Sequence, residues 1–218
     1  MTDPYLPKLA TCVFSDDEEA AISAALATVK PWDWKPGGTQ EVALVAAKEK
    51  IRDLHKVRQG DRCCYCRFPL HGGGHFIVDP EHVLPKSLDA YRPLSFSVWN
   101  LGIACKRCNM QYKRAKIDFV IDKDDAAQFQ ISGNYRLIHP NFDLYKDHIS
   151  ITLQMNDDTT LIKYTKMPGS EKGPYTYDYF NLREREVGTF DAAQGLEVPA
   201  DLEDGALEAQ ALARQFDQ

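Results

Sequence analysis

The sequence predicts an α+β protein: a small cysteine-pinned β unit in mid-chain, with helical extensions before and after it. Three observations carry this. The cysteines form two C-x-x-C pairs, Cys63/Cys66 and Cys105/Cys108, with 38 residues between them. Before the first pair, apolar residues recur at helical spacing. After the second pair, two strand-like runs flank Asn156-Asp-Asp158, the pattern of a β-hairpin. The organisation that follows is a helical N-terminal extension over 1–60, a cysteine-bound core over 61–120, and a C-terminal hairpin with a helical extension over 121–218, packed as one compact domain.

In chain order, Ser15-Asp-Asp-Glu18 is a capping box and opens an alanine-rich helix over about 16–30. "KPWDWKPGG" then breaks the chain with two prolines and two glycines. A second helix is expected over about 40–58, with Leu44, Ala47, Ile51 and Leu54 on one face and Gly60 as its stop. Residues 63–116 read as knuckle, short β element, loop, second knuckle and basic helix. "HISITLQM" and "TTLIKYTKM" form the hairpin, a helix is expected near 180–188, and an acidic amphipathic helix near 200–216 closes the chain.

Composition narrows the function classes. No apolar run approaches the roughly 20 residues of a membrane helix. The first residues lack the basic start and apolar stretch of a secretory signal, so a cytoplasmic location is expected. The net charge of −6 argues superficially against nucleic acid, but it is unevenly distributed. Residues 197–218 carry −5 and residues 1–20 carry −4, which leaves the middle at +3. Lys106, Arg107, Lys113, Arg114 and Lys116 stand within 105–116 with no acid among them, a candidate phosphate-binding patch to which Lys86 adds. The plainer reading of such a run is a solvated helix face.

The doubled C-x-x-C is the strongest signal. Two residues between cysteines let both thiolates of a tight turn face one ion, and two such turns complete a tetrahedral Zn²⁺ shell. With Cys63, Cys66, Cys105 and Cys108 filling all four positions, no place is left for water, so the zinc is structural. Cys64 competes with Cys63 for the first position, although the two-residue gap favours Cys63. Cys12 reads as a small core residue.

Between the knuckles lies Glu81-His82-Val-Leu-Pro85-Lys86; Asn100-Leu101 precedes the second knuckle and Asn109 follows it. The order E-H…N-L…C-x-x-C-N resembles the HNH nucleases, the ββα-metal family, over about 63–116. The resemblance implies a ββα-metal core, DNA as substrate, and catalytic roles for Glu81, His82, Asn100 and Asn109. Asn100 is implied as an orienter tying its loop to the strand that carries His82. The sequence departs from the family pattern in having Glu81 where Asp or His is commoner, and Asn109 rather than His. Both supply oxygen, so the second cation expected is Mg²⁺ or Mn²⁺ rather than Zn²⁺.

The chemistry can be read without the name. Phosphodiester hydrolysis needs an activated water, and a neutral His82 can take its proton. A hard cation held by Glu81 and Asn109 can stabilise charge on the phosphate. Adjacent strand residues point to opposite sides, so Glu81 and His82 need a bend to flank one phosphate, and Pro80 and Pro85 suit one. Lys113, one turn beyond Asn109, shares its face and reaches towards phosphate. His71, His75, His139 and His148 read as packing or turn residues, with an approach to the DNA left open for His139, and Phe96 and Trp99 read as core beneath the zinc. "VxxEHxxPKS", "WNL…ACxxCNxxYKxxK" and "HPNFDLYKDH" are similar to HNH subunits of retron and Septu-type anti-phage systems, which implies a partner ATPase; the acidic C-terminal stripe is a candidate docking helix. Two other readings stay open: a zinc-dependent nucleic-acid-binding module without catalysis, and a purely structural subunit.

Overall fold

The computed structural model describes residues 3–72, 78–157 and 159–186. The capping box forms as expected: Ser15 Oγ accepts from Glu18 N–H and Glu18 accepts from Ser15 N–H. It opens helix α1 (Asp16–Leu26), which ends at Ala27, short of the expected residue 30. Ala21 and Ala25, both fully buried, let α1 approach helix α2 (Gly38–Gln59) closely. The left-handed Gly60 (φ 62°) ends α2, returning its N–H to the carbonyls of Lys56 and Val57.

The buried stripe of α2 runs through Leu44, Ala47 and Ile51, then continues in polar residues: His55, Arg58 and Gln59. Leu54 is only half-buried, a correction to the expected stripe. Each of the three polar groups docks the helix end on something. His55 Nε2 meets Val98 O at 3.0 Å, and Arg58 pairs with Asp3 at 2.8 Å. Gln59 accepts from Ile103 N–H and donates to Ile103 O, so one side-chain amide mimics a neighbouring strand. Such bonds make burial of these polar groups tolerable.

Strand β1 (Val78–His82) pairs antiparallel with β2 (Leu101–Cys105), with Val78 opposite Cys105 and His82 opposite Leu101. Directly after β2 comes a π-helical segment, π1 (Arg107–Lys113), whose wide turn is closed by Arg114 N–H donating to Asn109 O at 2.8 Å. The hairpin β3 (Ile149–Asn156) and β4 (Thr159–Lys166) forms as expected.

The helix expected near 180–188 is corrected: α3 spans Lys172–Tyr179, followed by a 3-10 turn over Leu182–Arg185. Asn181 adopts φ 43° and stops α3, while Arg107 from π1 collects the carbonyls of Phe180 and Asn181. Pro174 falls in the first turn of α3, where its missing N–H costs little. The acidic helix expected near 200–216 lies outside the described residues, as does His75.

Two apolar clusters form. One gathers the four knuckle cysteines, Tyr65, Phe119, Tyr135 and Phe180 around the β1–β2 pair. The other joins α1 and α2 to Leu101 and Phe96, so Phe96 packs under the helices rather than under the cysteines. Trp99 stacks on Phe142 at the first cluster's edge. The "HPNFDLYKDH" stretch is a clamp: Asn141 donates to Trp99 O and Leu101 O, and Asp143 accepts from His139 N–H and Lys172. His139 is fully buried, stacked on Phe142, and has no route to a ligand.

Candidate functional site

The first knuckle is a tight turn in which Cys63 N–H donates to Phe68 O and Arg67 N–H to Cys63 O. Arg67 takes φ 56° to let the chain reverse. The second knuckle joins the last residue of β2, Cys105, to the first turn of π1, Cys108. The ligand atoms of Cys63, Cys66, Cys105 and Cys108 lie within 4.8 Å of one another, and all four residues are buried. Cys66 Sγ and Cys105 Sγ are 3.8 Å apart. A tetrahedron with Zn–S near 2.3 Å has sulfur edges of about 3.8 Å, so the spacing is compatible with a structural zinc.

The groups around the sulfurs suit thiolates. Cys105 N–H donates to Cys63 Sγ at 3.3 Å, and the Arg185 guanidinium approaches Cys105 Sγ at 3.5 Å. Burial pushes the Cys63 thiol up, but hydrogen bonds from Cys105, Cys108 and their neighbours outweigh it and hold Cys63 well below the usual thiol range. Cys64 goes the other way, raised by burial and by the thiolate beside it. Its side chain turns towards Gly102, where a Cβ would sit 3.6 Å from Cys64 Cβ, and it stands outside the four-sulfur cluster.

His82 ends β1 at the other end of the ladder. Its Nε2 lies 3.0 Å from Ser95 O. A carbonyl only accepts, so Nε2 carries the proton and Nδ1 carries the lone pair. Nδ1 has no hydrogen-bond partner among the described residues. Trp32 packs its ring against the imidazole, centroids 4.8 Å apart and nearly perpendicular. Burial pushes the His82 imidazole down to about 3, the Ser95 bond acting against it and Lys86 and Lys113 adding to it. The ring is therefore neutral across the physiological range.

Asn100 is fully buried and brackets the chain just beyond His82. Its Oδ1 accepts from Leu84 N–H at 2.7 Å, its Nδ2 donates to Leu84 O at 3.0 Å, and its own carbonyl accepts from Val83 N–H. Asn109 is half-buried and is the third residue of π1.

Three expected residues stand differently. Glu81 is not presented as an open metal ligand: it is 1% exposed, accepts from Tyr65 Oη at 2.9 Å and pairs with Lys113 at 3.0 Å. Burial raises the Glu81 carboxyl, and Lys113 and Tyr65 pull it back down. Lys113 is likewise corrected: its ammonium is buried between Glu81 and the His82 carbonyl, 2.6 Å away, and faces no phosphate. Arg107 is occupied by the carbonyls of Phe180 and Asn181, by Glu184 and by the Tyr112 ring. Lys106, Arg114 and Lys116 remain exposed; Lys86 is partly exposed and paired with Asp33. The bend expected to converge Glu81 and His82 does not form, because both lie within β1 and face opposite sides.

The oxygen set implied for a divalent cation therefore does not fit as the chain is folded, since the Lys113 ammonium and the Tyr65 hydroxyl both sit on Glu81 Oε1 and the buried ammonium would repel a second cation beside it. Trp32 and Ser95, which hold His82, had no sequence signal beyond an aromatic in a Pro-rich turn.

Fold and thiols together define an α+β protein with a buried four-cysteine centre compatible with zinc; among the described residues no helix is long and apolar enough to cross a membrane. No protein-family model matches the chain, and no curated protein matches it.

Proposed function

We propose that residues 61–120 are a zinc-stabilised ββα-metal (HNH) core that hydrolyses phosphodiester bonds in DNA, with Zn²⁺ on Cys63, Cys66, Cys105 and Cys108 holding the unit together. The observation that carries this reading is the state of His82: one ring nitrogen is anchored by Ser95 O, and the other is left as a lone pair at the end of a strand followed by strand and helix.

In this reading His82 Nδ1 takes the proton of the attacking water: the ring is in the neutral form a base needs, and the negative charge of a bound phosphate would raise the proton affinity that burial lowers. The Ser95 carbonyl fixes the tautomer and Trp32 the ring plane. Asn100 holds Val83 and Leu84 so that the end of β1 does not fray. Mg²⁺ or Mn²⁺, where bound, would neutralise charge on the phosphate, but Glu81 is not available to hold it in this arrangement. Lys86 and the exposed cations of 105–116 supply attraction for phosphate. The further proposals, an anti-phage effector working beside an ATPase in the cytoplasm, rest on the motif resemblance alone.

A second reading, a zinc-dependent DNA-binding module without catalysis, is favoured by the closed Glu81–Lys113–Tyr65 cluster. A supercoiled-plasmid nicking assay on wild type and His82→Asn separates the two. The nuclease reading expects cutting by the first and not the second; the binding-module reading expects no cutting by either.

A further inference from the structure

Of the cations within 105–116, Arg107 and Lys113 lie on π1, and both are occupied inside the fold. A different set lies along α2. Lys48, Arg52 and Lys56 stand at i, i+4 and i+8 on α2, on one face of that helix. All three line a groove of about 590 Å³ between α2 and β1, whose floor includes Trp32 and Pro80. Trp32 links this groove to the site: Lys48 Nζ sits 5.3 Å from its ring centroid, and the ring also packs against the His82 imidazole and Phe96. Burial pushes the Lys48 ammonium down; Asp33 opposes this most, Lys86 and more weakly Lys35 add to it, and Glu41 also opposes it.

We infer that the groove between α2 and β1 is the track along which a DNA strand runs to His82, its phosphates against Lys56, Arg52 and Lys48. The inference rests on the nuclease reading for its destination, but its binding claim is independent of cleavage. Successive cations are offset by about 6 Å along the helix, given a rise of 1.5 Å per residue, the scale on which phosphates repeat along a strand. The carboxylates present do not close the groove. Glu49 and Asp61 line it, and Arg52 lies 3.3 Å from Asp53 and 3.7 Å from Glu49, carboxylates that are themselves 63% and 56% exposed. Exposed pairs of that kind are weak and give way to a phosphate. The arrangement also gives a chain of net charge −6 a local row of cations, Lys48, Arg52 and Lys56, in a groove that Trp32 lines.

The test is fluorescence anisotropy of a labelled DNA strand, alone and as duplex, with the full chain over a salt series. Lys48→Gln/Arg52→Gln/Lys56→Gln is compared with Lys106→Gln/Arg114→Gln/Lys116→Gln. Zinc content and thermal melting are read on each; if the triple variant fails to fold, Lys48→Gln and Lys56→Gln are measured singly. The α2 triple should weaken binding by at least about tenfold and flatten the log K against log salt slope by about 2–3, near 0.7–0.9 per lost phosphate contact. Each single variant should flatten it by nearly one. Affinity and slope unchanged in the folded α2 variants overturn the inference while leaving the nuclease reading intact. Lost binding in those variants beside a wild type that binds but never cuts upholds the track and removes the nuclease. A wild type that binds neither form of DNA at low salt overturns both.

Discussion

Glu81 and His82 are neighbours in β1, and their surroundings differ in kind. Glu81 faces inward, where a tyrosine hydroxyl and a lysine ammonium, itself bound to the His82 carbonyl, share its Oε1. His82, only 6% exposed, lies on the opposite face against Trp32, held at one nitrogen and unpartnered at the other among the described residues. The inward face locks strand to helix, and the opposite face keeps a reactive group oriented. Two residues that sequence adjacency joins in one site are thus divided by the two-residue period of a strand. The zinc end of the same ladder resembles the Glu81 face: four sulfurs turned inward, with backbone and Arg185 around them.

If the inward face is structural, breaking it should act on folding first. The largest effect is expected from Cys105→Ser, which removes one of four sulfurs. Structural zinc contributes roughly 10–16 kcal/mol in small zinc peptides, so the variant should lose zinc by elemental analysis and melt without a cooperative transition. Zinc-free protein that melts like wild type would show the sulfurs are not a metal centre.

Next comes the buried pair. Lys113→Met leaves the Glu81 carboxylate uncompensated and should cost about 3–5 kcal/mol in urea unfolding, as breaking buried pairs does. Adding Glu81→Gln should recover much of that loss. If Lys113→Met is neutral and Glu81→Gln instead raises the Mg²⁺ needed for cutting, Glu81 is a metal ligand after all.

A smaller effect sharpens the contrast by pH. His55, like His82, is buried neutral; burial and then Arg58 push it down to about 3, against an ordinary value near 6.5. The unfolded chain therefore binds the extra proton first. Its contribution is complete above pH 6.5 and is lost as pH falls towards 3, at up to about 1.4 kcal/mol per pH unit. Urea midpoints at pH 7.5 and 5.0 should drop less for His55→Gln, which can keep the bond to Val98 O. The four clustered cysteines are common to both proteins, so an equal drop would mean His55 does not titrate between the two states.

What was legible in the sequence was local. The Ser15 box, the Gly60 stop, the two knuckles and the β3–β4 hairpin each depend on residues within a few positions of one another. What was not legible depended on distant partners or on helix pitch. Lys113 reads as a surface cation on the helix wheel, and the fold instead turns it beneath β1. Arg107 reads as a phosphate ligand until Phe180 and Asn181, more than seventy residues on, offer their carbonyls. The misplaced helix near 180–188 has the same cause, because the left-handed Asn181 interrupts a stretch whose composition suits a helix. Four thiols at paired spacing could be assembled on paper; the Ser95 carbonyl that fixes the His82 tautomer could not, because backbone groups carry no residue signature.

The central claim is that His82 does chemistry on a phosphodiester, and plasmid nicking reads it most directly. His82→Ala would leave a gap against Trp32 and confuse folding with catalysis, so His82→Asn is the variant of choice. Supercoiled plasmid is incubated with each protein in Mg²⁺ and in Mn²⁺, with zinc content and melting temperature measured on the same preparations. The account predicts nicking by wild type that falls by about 10²–10⁴-fold in His82→Asn, with zinc unchanged and melting little altered. Nicking by the folded variant within a few fold of wild type, or no nicking by wild type under either metal, would contradict it.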